Sequence, residues 1–322
     1  MSEKCFGKII RTFFNELAIK FHKNVLRPLR QACSIAACNF RQWYKNPRIF
    51  ITFALAFILC FLLSDKIVAF SEKYDTATQI LEPFIWTFGD SSSILLASLL
   101  LIFLFADMPF LSSGTPFYLL RISRKVWLLG QAIYIMTATF FYMTFILLST
   151  ALVCMKNAFP GNLWSTASAI IGYGNAGKVL SLPITVKTME MTTPYPCAVS
   201  IFLLMLCYAQ ILVFLMLLFN LIKGQLAGVI SVFVFSLYGF LLSPSTLQTI
   251  FQLEDKEMYR ANVFLGWVSP LNHATYQMHN FGYDLLPTLH QTYLISGVVI
   301  LLLFAASLSA VRRYNFLFTG TA

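Results

Sequence analysis

Residues 106–131 read ADMPFLSSGTPFYLLRISRKVWLLGQ and lie between two long apolar runs, so they form a loop between two membrane spans. Pro109, Gly114 and Pro116 stop the helix that leads into the loop. Phe117, Tyr118, Leu119 and Leu120, followed by Arg121, then fit one short helix that ends before Ser123. Arg121, Arg124 and Lys125 make the loop basic, and a short basic loop between spans belongs on the cytoplasmic side. A short amphipathic helix lying there, parallel to the membrane, is a surface on which a cytosolic partner can push.

Composition places the whole chain in a membrane. Of 322 residues 58% are hydrophobic and 11% charged, against about 25% charged in soluble domains. The mean hydropathy is +0.73. Once the spans are counted, no room remains for a large soluble domain. The net charge of +10 would point to nucleic acid in a soluble protein; here it fits Lys and Arg facing anionic lipid on the cytoplasmic side. The seven cysteines are scattered and form no CxxC, so neither a zinc site nor a redox motif is supported. Cys154 and Cys197 can both face outside, where a pair is possible, although free cysteine is a common apolar filler.

Working outward, the apolar runs predict an all-α polytopic protein with six transmembrane helices at about 49–70, 93–111, 126–154, 198–222, 226–242 and 291–311. Residues 1–48 form a separate cytoplasmic segment ahead of the six-span domain at 49–322. In that segment Phe6, Ile10, Phe13, Leu17 and Phe21 share one helical face while Lys4, Lys8 and Arg11 share another, which predicts an amphipathic helix on the membrane surface. Trp43, Tyr44 and Lys45 mark the interface, and Pro47 turns the chain into the first span. Residues 64–92 are acidic and polar and read as outside. Residues 155–197, with their many Gly and Pro, read as a long outer loop, and residues 245–290 as a second outer segment. Charge tests this topology: sixteen of the 23 Lys and Arg fall on the assigned inside and ten of the 13 acids on the outside. Both termini are therefore expected in the cytosol of a multi-pass cell-membrane protein.

Several motifs are decoys. Residues 172–178, GYGNAGK, fit GxxxxGK, but a phosphate loop next needs Ser or Thr for magnesium and Val179 stands there, in an outer loop. Residues 111–115, LSSGT, faintly echo an ATP-binding-cassette signature without a nucleotide-binding domain around them. His273, His279 and His290 share one outer segment but lack HExxH spacing, so a structural role for each histidine is favoured over metal. No recognisable elbow places a Ser/His/Asp group. No ionisable side chain stands mid-span, which argues against a carrier driven by an ion gradient. Gln210, Ser231 and Ser236 are the polar residues inside spans that either bond another helix or line a pathway.

These features together resemble the six-span permease subunits of the ATP-binding-cassette type 2 exporter family. The resemblance rests on the amphipathic start, on Arg121 to Trp127 leading out of the basic loop into the third span, on the minimal turn at Lys223, and on residues 267–273, WVSPLNH, before the last span. It implies that residues 117–125 are a coupling helix, with Phe117, Tyr118, Leu120, Arg121, Arg124 and Lys125 touching a partner. It implies short re-entrant extracellular helices before the last span, a second permease subunit (the same chain or a paralogue), and two cytosolic ATPase subunits that hold the ATP and Mg. No cofactor is then expected in this chain, and no nucleic acid. The cargo is expected to be hydrophobic or amphipathic, a peptide or lipid-like molecule moved outward. The alternative is a membrane-embedded enzyme or scaffold acting on a lipid-linked substrate without an ATPase.

Overall fold

The computed structural model describes residues 26–111, 115–174, 184–242, 246, 248, 249, 252 and 258–316. The amphipathic stretch from Lys4 to Phe21 lies outside them, as do residues 112–114, most of the glycine-rich 172–178 motif and the Tyr118 side chain.

Helix α1 runs over Arg27–Arg41 and is followed by a short turn at Trp43–Lys45. Helix α2, Pro47–Lys73, starts where expected: Pro47 needs no donor in the first turn, and the Asn46 side chain accepts from the Arg48 N–H at 3.1 Å. Strand β1 is Thr78–Gln79, α3 is Glu82–Phe88 and α4 is Ser91–Phe105. After them come the five-residue α5, Thr115–Leu119, and the 31-residue α6, Arg124–Cys154. Strand β2, Ala158–Phe159, pairs in parallel with β1, Thr78 opposite Ala158. The rest is helical: α7 Thr166–Tyr173, α8 Val186–Met191, α9 Pro194–Lys223, α10 Gln225–Leu241, α11 Met258–Val268, α12 Pro270–Ala274 and α13 Leu289–Ala310.

Four of these helices, α2, α6, α9 and α13, are long and apolar enough to cross a membrane, so the chain is built as a membrane protein. The pair α3 and α4 passes the same test only jointly and is bent by 90° at the break, giving a fifth crossing if the two are one span. Helix α10 is apolar but has 17 residues, about 26 Å of helix against a hydrocarbon core of about 30 Å.

Several expected boundaries move. The second apolar helix ends at Phe105, not near residue 111. The segment 64–92 is not a polar loop: α2 continues to Lys73, and every residue of α3 is buried. The outer segment 155–197 carries α7 and α8, and α9 starts at Pro194 rather than at residue 198. Toward the end of the 1–48 segment stands α1, a helix that the apolar pattern does not mark out. It packs on α6, where Gly130 permits the contact: a Cβ there would stand 2.7 Å from Ile35 Cβ and 2.9 Å from the Ala32 carbonyl oxygen. Asn39 Nδ2 donates to Gln131 Oε1 at 3.1 Å inside this seam, and Trp43 Nε1 donates to the Tyr134 hydroxyl at 2.8 Å.

Helix α9 is the axis. It packs on α6, α10 and α13 along its length and on α3, α4 and α12 beside them. In its most apolar window 61% of residues are buried, against 11% in α13, so the rest of the chain leaves α13 mostly uncovered. Gly224 joins α9 to α10 with φ +93°, a left-handed backbone that glycine adopts without strain, and the two helices fold back on each other at once. Cys154 and Cys197 are both buried free thiols; Cys154 Sγ is 3.2 Å from the Thr78 hydroxyl.

Candidate functional site

The segments 42–48, 106–111, 115–125, 220–225 and 311–316 meet at one end of the bundle, and the charges sort with them. Lys45, Arg48, Arg121, Arg124, Lys125, Lys223, Arg312 and Arg313 stand there, with Asp107 the acid found among the described residues. Arg48 and Asp107 form an ion pair that ties the start of α2 to the end of α4. Asn220 Nδ2 donates to the Met108 carbonyl at 2.6 Å and Gln131 Nε2 to the Phe110 carbonyl at 3.5 Å, so the chain leaving α4 is held from two sides. Asp107, Asn220, Gln225 and Arg313 face a polar cavity of about 640 Å³ at this end.

Helix α5 stands out from this frame. Phe117 is 74% exposed and Leu120, the residue after α5, 87% exposed, two large apolar side chains at the surface. Arg121 and Lys125 are exposed beside them. Arg124 is different: its Nη1 donates to the carbonyls of Arg312 at 2.9 Å, Tyr314 at 3.3 Å and Val311 at 3.5 Å. Its guanidinium also sits 5.4 Å from the centre of the Phe316 ring, which in turn meets Trp127 edge-on at 5.1 Å. A cation at the carbonyl end of α13 is favoured electrostatically. Arg124 therefore latches the end of the last apolar helix to the start of α6 rather than projecting freely with Arg121. This tie joins residues far apart in sequence, and no local pattern marks it.

The three polar residues inside helices separate. Gln210 is buried and donates through Nε2 to the Met136 carbonyl on α6 at 3.3 Å, which is a helix-to-helix bond. The half-buried Ser231 donates back to the Gly228 carbonyl of its own helix at 2.7 Å. Ser236 is buried beside the Tyr208 side chain. Gly239, one turn on, accepts through its carbonyl from the Ser269 hydroxyl at 3.2 Å. Ser236 and Gly239 are thus used within the chain.

The opposite end is a net of buried polar contacts. Glu82 is fully buried; its oxygens accept from the Ser165 N–H at 2.6 Å, the Ser165 hydroxyl at 2.5 Å and the Gln79 N–H at 3.1 Å. Trp86 Nε1 donates to the Ser168 hydroxyl at 2.8 Å, pinning α3 to α7. Lys187 on α8 pairs with Asp284 at 2.8 Å and donates to the His279 carbonyl at 3.2 Å. His273 and His279, which carry no motif, come together on either side of Thr292: His273 Nδ1 and His279 Nε2 each lie 3.0 Å from its hydroxyl. Burial pulls both imidazoles below their ordinary pKa, His279 to about 4. His273 also lines an apolar cavity of about 240 Å³ between α9, α10, α12 and α13, with Tyr208, Phe235, Tyr238 and Trp267. His290 is exposed and stands apart. Among the described residues no three His, Cys, Asp or Glu are placed to hold a metal ion.

No known family model, curated protein or solved structure matches this chain.

Proposed function

We propose that the chain is the membrane subunit of an exporter whose ATP-hydrolysing subunits are separate cytosolic chains, and that it moves a hydrophobic or amphipathic cargo outward. One observation carries this reading: at the basic end, between two membrane helices, the short helix α5 and the residue that follows it leave Phe117 and Leu120 largely exposed. Aromatic side chains and arginine, here Phe117 and Arg121, are enriched at protein interfaces. The basic charge around them assigns this end to the cytosol, where an ATPase stands. A push on α5 reaches the start of α6 directly and, through the Arg124 latch, the end of α13.

In this reading α4 and α10 also cross the bilayer, the chain beyond their helical ends and local thinning covering the shortfall, which makes six crossings with α11 and α12 re-entrant between the fifth and sixth. Residues 26 and 316 then lie on the cytosolic side and Asn162 outside. A second permease subunit covers the exposed side chains of α2 and α10, Phe57, Phe61, Phe233 and Leu237 among them.

The test is purification from native membranes in mild detergent, with the wild type and with Tyr118 and Arg121 both changed to alanine. The wild type is expected to bring down a cassette ATPase whose hydrolysis responds to this subunit; the double variant reaches the membrane but leaves hydrolysis uncoupled. Recovery of no ATPase, together with a chemical activity of the isolated chain on a lipid-linked substrate, contradicts the reading.

A further inference from the structure

Hydrogen counting at the two histidines leads to a site of a different kind. His273 Nε2 lies 3.0 Å from the Trp267 carbonyl oxygen, which can only accept, so that nitrogen carries hydrogen and Nδ1 of the neutral ring carries a lone pair. His279 Nδ1 lies 3.0 Å from the Thr275 carbonyl oxygen and 3.1 Å from that of Tyr276, so that nitrogen carries the hydrogen and Nε2 the lone pair. The two lone-pair nitrogens both face the Thr292 hydroxyl at 3.0 Å. A hydroxyl has one hydrogen. With both rings neutral it serves one nitrogen, and the other N···O contact sets lone pair against lone pair.

We propose that His273, Thr292 and His279 form a binding site for a single proton, taken from the outer medium. The first proton adds one N–H, and every contact in the unit then has a donor and an acceptor: ring N–H to Thr292 oxygen, Thr292 hydroxyl to the other ring. A second proton puts N–H on both rings and leaves the Thr292 hydrogen with no acceptor. The unit holds one proton and resists two.

The surroundings say which ring takes it. His279 is completely buried and Lys187 Nζ sits on its carbonyl, so a cation there meets another cation. Asp284 is already paired with that lysine. His273 is only half-buried and opens on the apolar cavity. Among the described residues the other titratable groups close to the unit are Tyr276, with Cys197 and Tyr293 acting on it, and Tyr208 and Tyr238 across the cavity, phenols and a thiol rather than carboxylates or amines. The first proton therefore belongs on His273 Nδ1. Its arrival turns the wall of a neutral apolar cavity into a cationic one, so the acidity of the outer medium sets the charge that any occupant of this cavity meets. The inference stands on the histidine geometry and not on the ATPase partnership.

The experiment is an imidazole nitrogen NMR titration of the full-length protein, ¹⁵N-labelled at histidine, in lipid nanodiscs from pH 8 to pH 4. His290→Ala serves to assign the exposed ring. The wild type is expected to take up one proton at the pair, with the His273 and His279 signals shifting together at one shared midpoint. Thr292→Ser, which keeps the hydroxyl, is expected to keep that shared midpoint. Thr292→Val, which keeps the shape and loses the hydroxyl, is expected to split it into two midpoints. Independent titration of the two rings in the wild type overturns the proposal, as does uptake of two protons in one transition. If Thr292→Val does not fold, the wild-type stoichiometry and the serine variant decide the matter.

Discussion

The two ends of this bundle solve opposite problems. At the acidic end short helices, a two-residue parallel pairing and buried side chains such as Glu82, Trp86 and His279 are tied to one another across long stretches of sequence. At the basic end the chain crosses between helices on a few single ties, Arg48 to Asp107, Asn220 to the Met108 carbonyl and Arg124 to the last helix, and leaves α5 uncovered. A buried polar net holds one geometry because each unmet group is costly. A surface held by single ties can move when something binds it. On the proposed reading, rigidity belongs to the acidic end and transmission to the basic end.

The acidic end is broken most easily at Glu82. Glu82→Ala leaves two Ser165 donors and the Gln79 N–H in a closed space without their acceptor. At about 1–3 kcal/mol for each unmet buried donor, roughly 4 kcal/mol of stability is expected to go. Denaturant unfolding in detergent micelles measures it, and a loss near zero would mean that water replaces the carboxylate and that this end is not closed.

Acid tests the same end through His279. Its folded pKa, about 4, lies below the ordinary 6.5, so the neutral ring contributes stability that is fully present above pH 6.5 and lost as pH falls through 4. The loss expected across that window is on the order of 3 kcal/mol. His279→Gln is expected to flatten the pH dependence of the melting temperature between these values; a slope equal to that of the wild type would place the acid sensitivity elsewhere.

The α1–α6 seam, near the basic end, should respond to bulk rather than to charge. Gly130→Val pushes a side chain into Ile35 and the Ala32 carbonyl, and about 2 kcal/mol of destabilisation is expected, read as earlier detachment of α1 in hydrogen exchange. The smallest effect belongs to the latch. Arg124→Ala is expected to cost about 1 kcal/mol or less, yet to make residues 311–316 cleavable several-fold faster by added protease. Unchanged cleavage would show that Trp127 and Phe316 hold the segment without the arginine.

Much of this architecture is legible from hydropathy. The helices α2, α6, α9 and α13 follow from apolar runs that no other structure accommodates, and the charge split along the chain separates the two ends. What escapes is whatever depends on a distant partner. Helix α3 lies in a segment that reads as acidic, polar and outside; the donors that let Glu82 be buried belong to Ser165, on a different segment. Helix α1 is not marked by the hydropathy pattern because its buried face is narrow, with Ala32, Ile35, Ala36 and Asn39, and Gly130 on α6 makes room for it. His273 and His279 read as separate structural residues because their common neighbour, Thr292, belongs to the next membrane helix. At the basic end Phe117 and Leu120 are exposed, while Arg124, also at the surface, is held by three backbone carbonyls of a segment far along the chain.

The central claim, that the exposed α5 is where an energy-supplying partner docks, is tested most directly by placing a photo-crosslinking amino acid at position 117 and irradiating native membranes. The account predicts a covalent adduct with a cytosolic cassette ATPase, lost when the crosslinker is moved to Asn162 at the other end. Adducts at position 117 formed only with lipid, or with a protein on the outer side of the membrane, would contradict it.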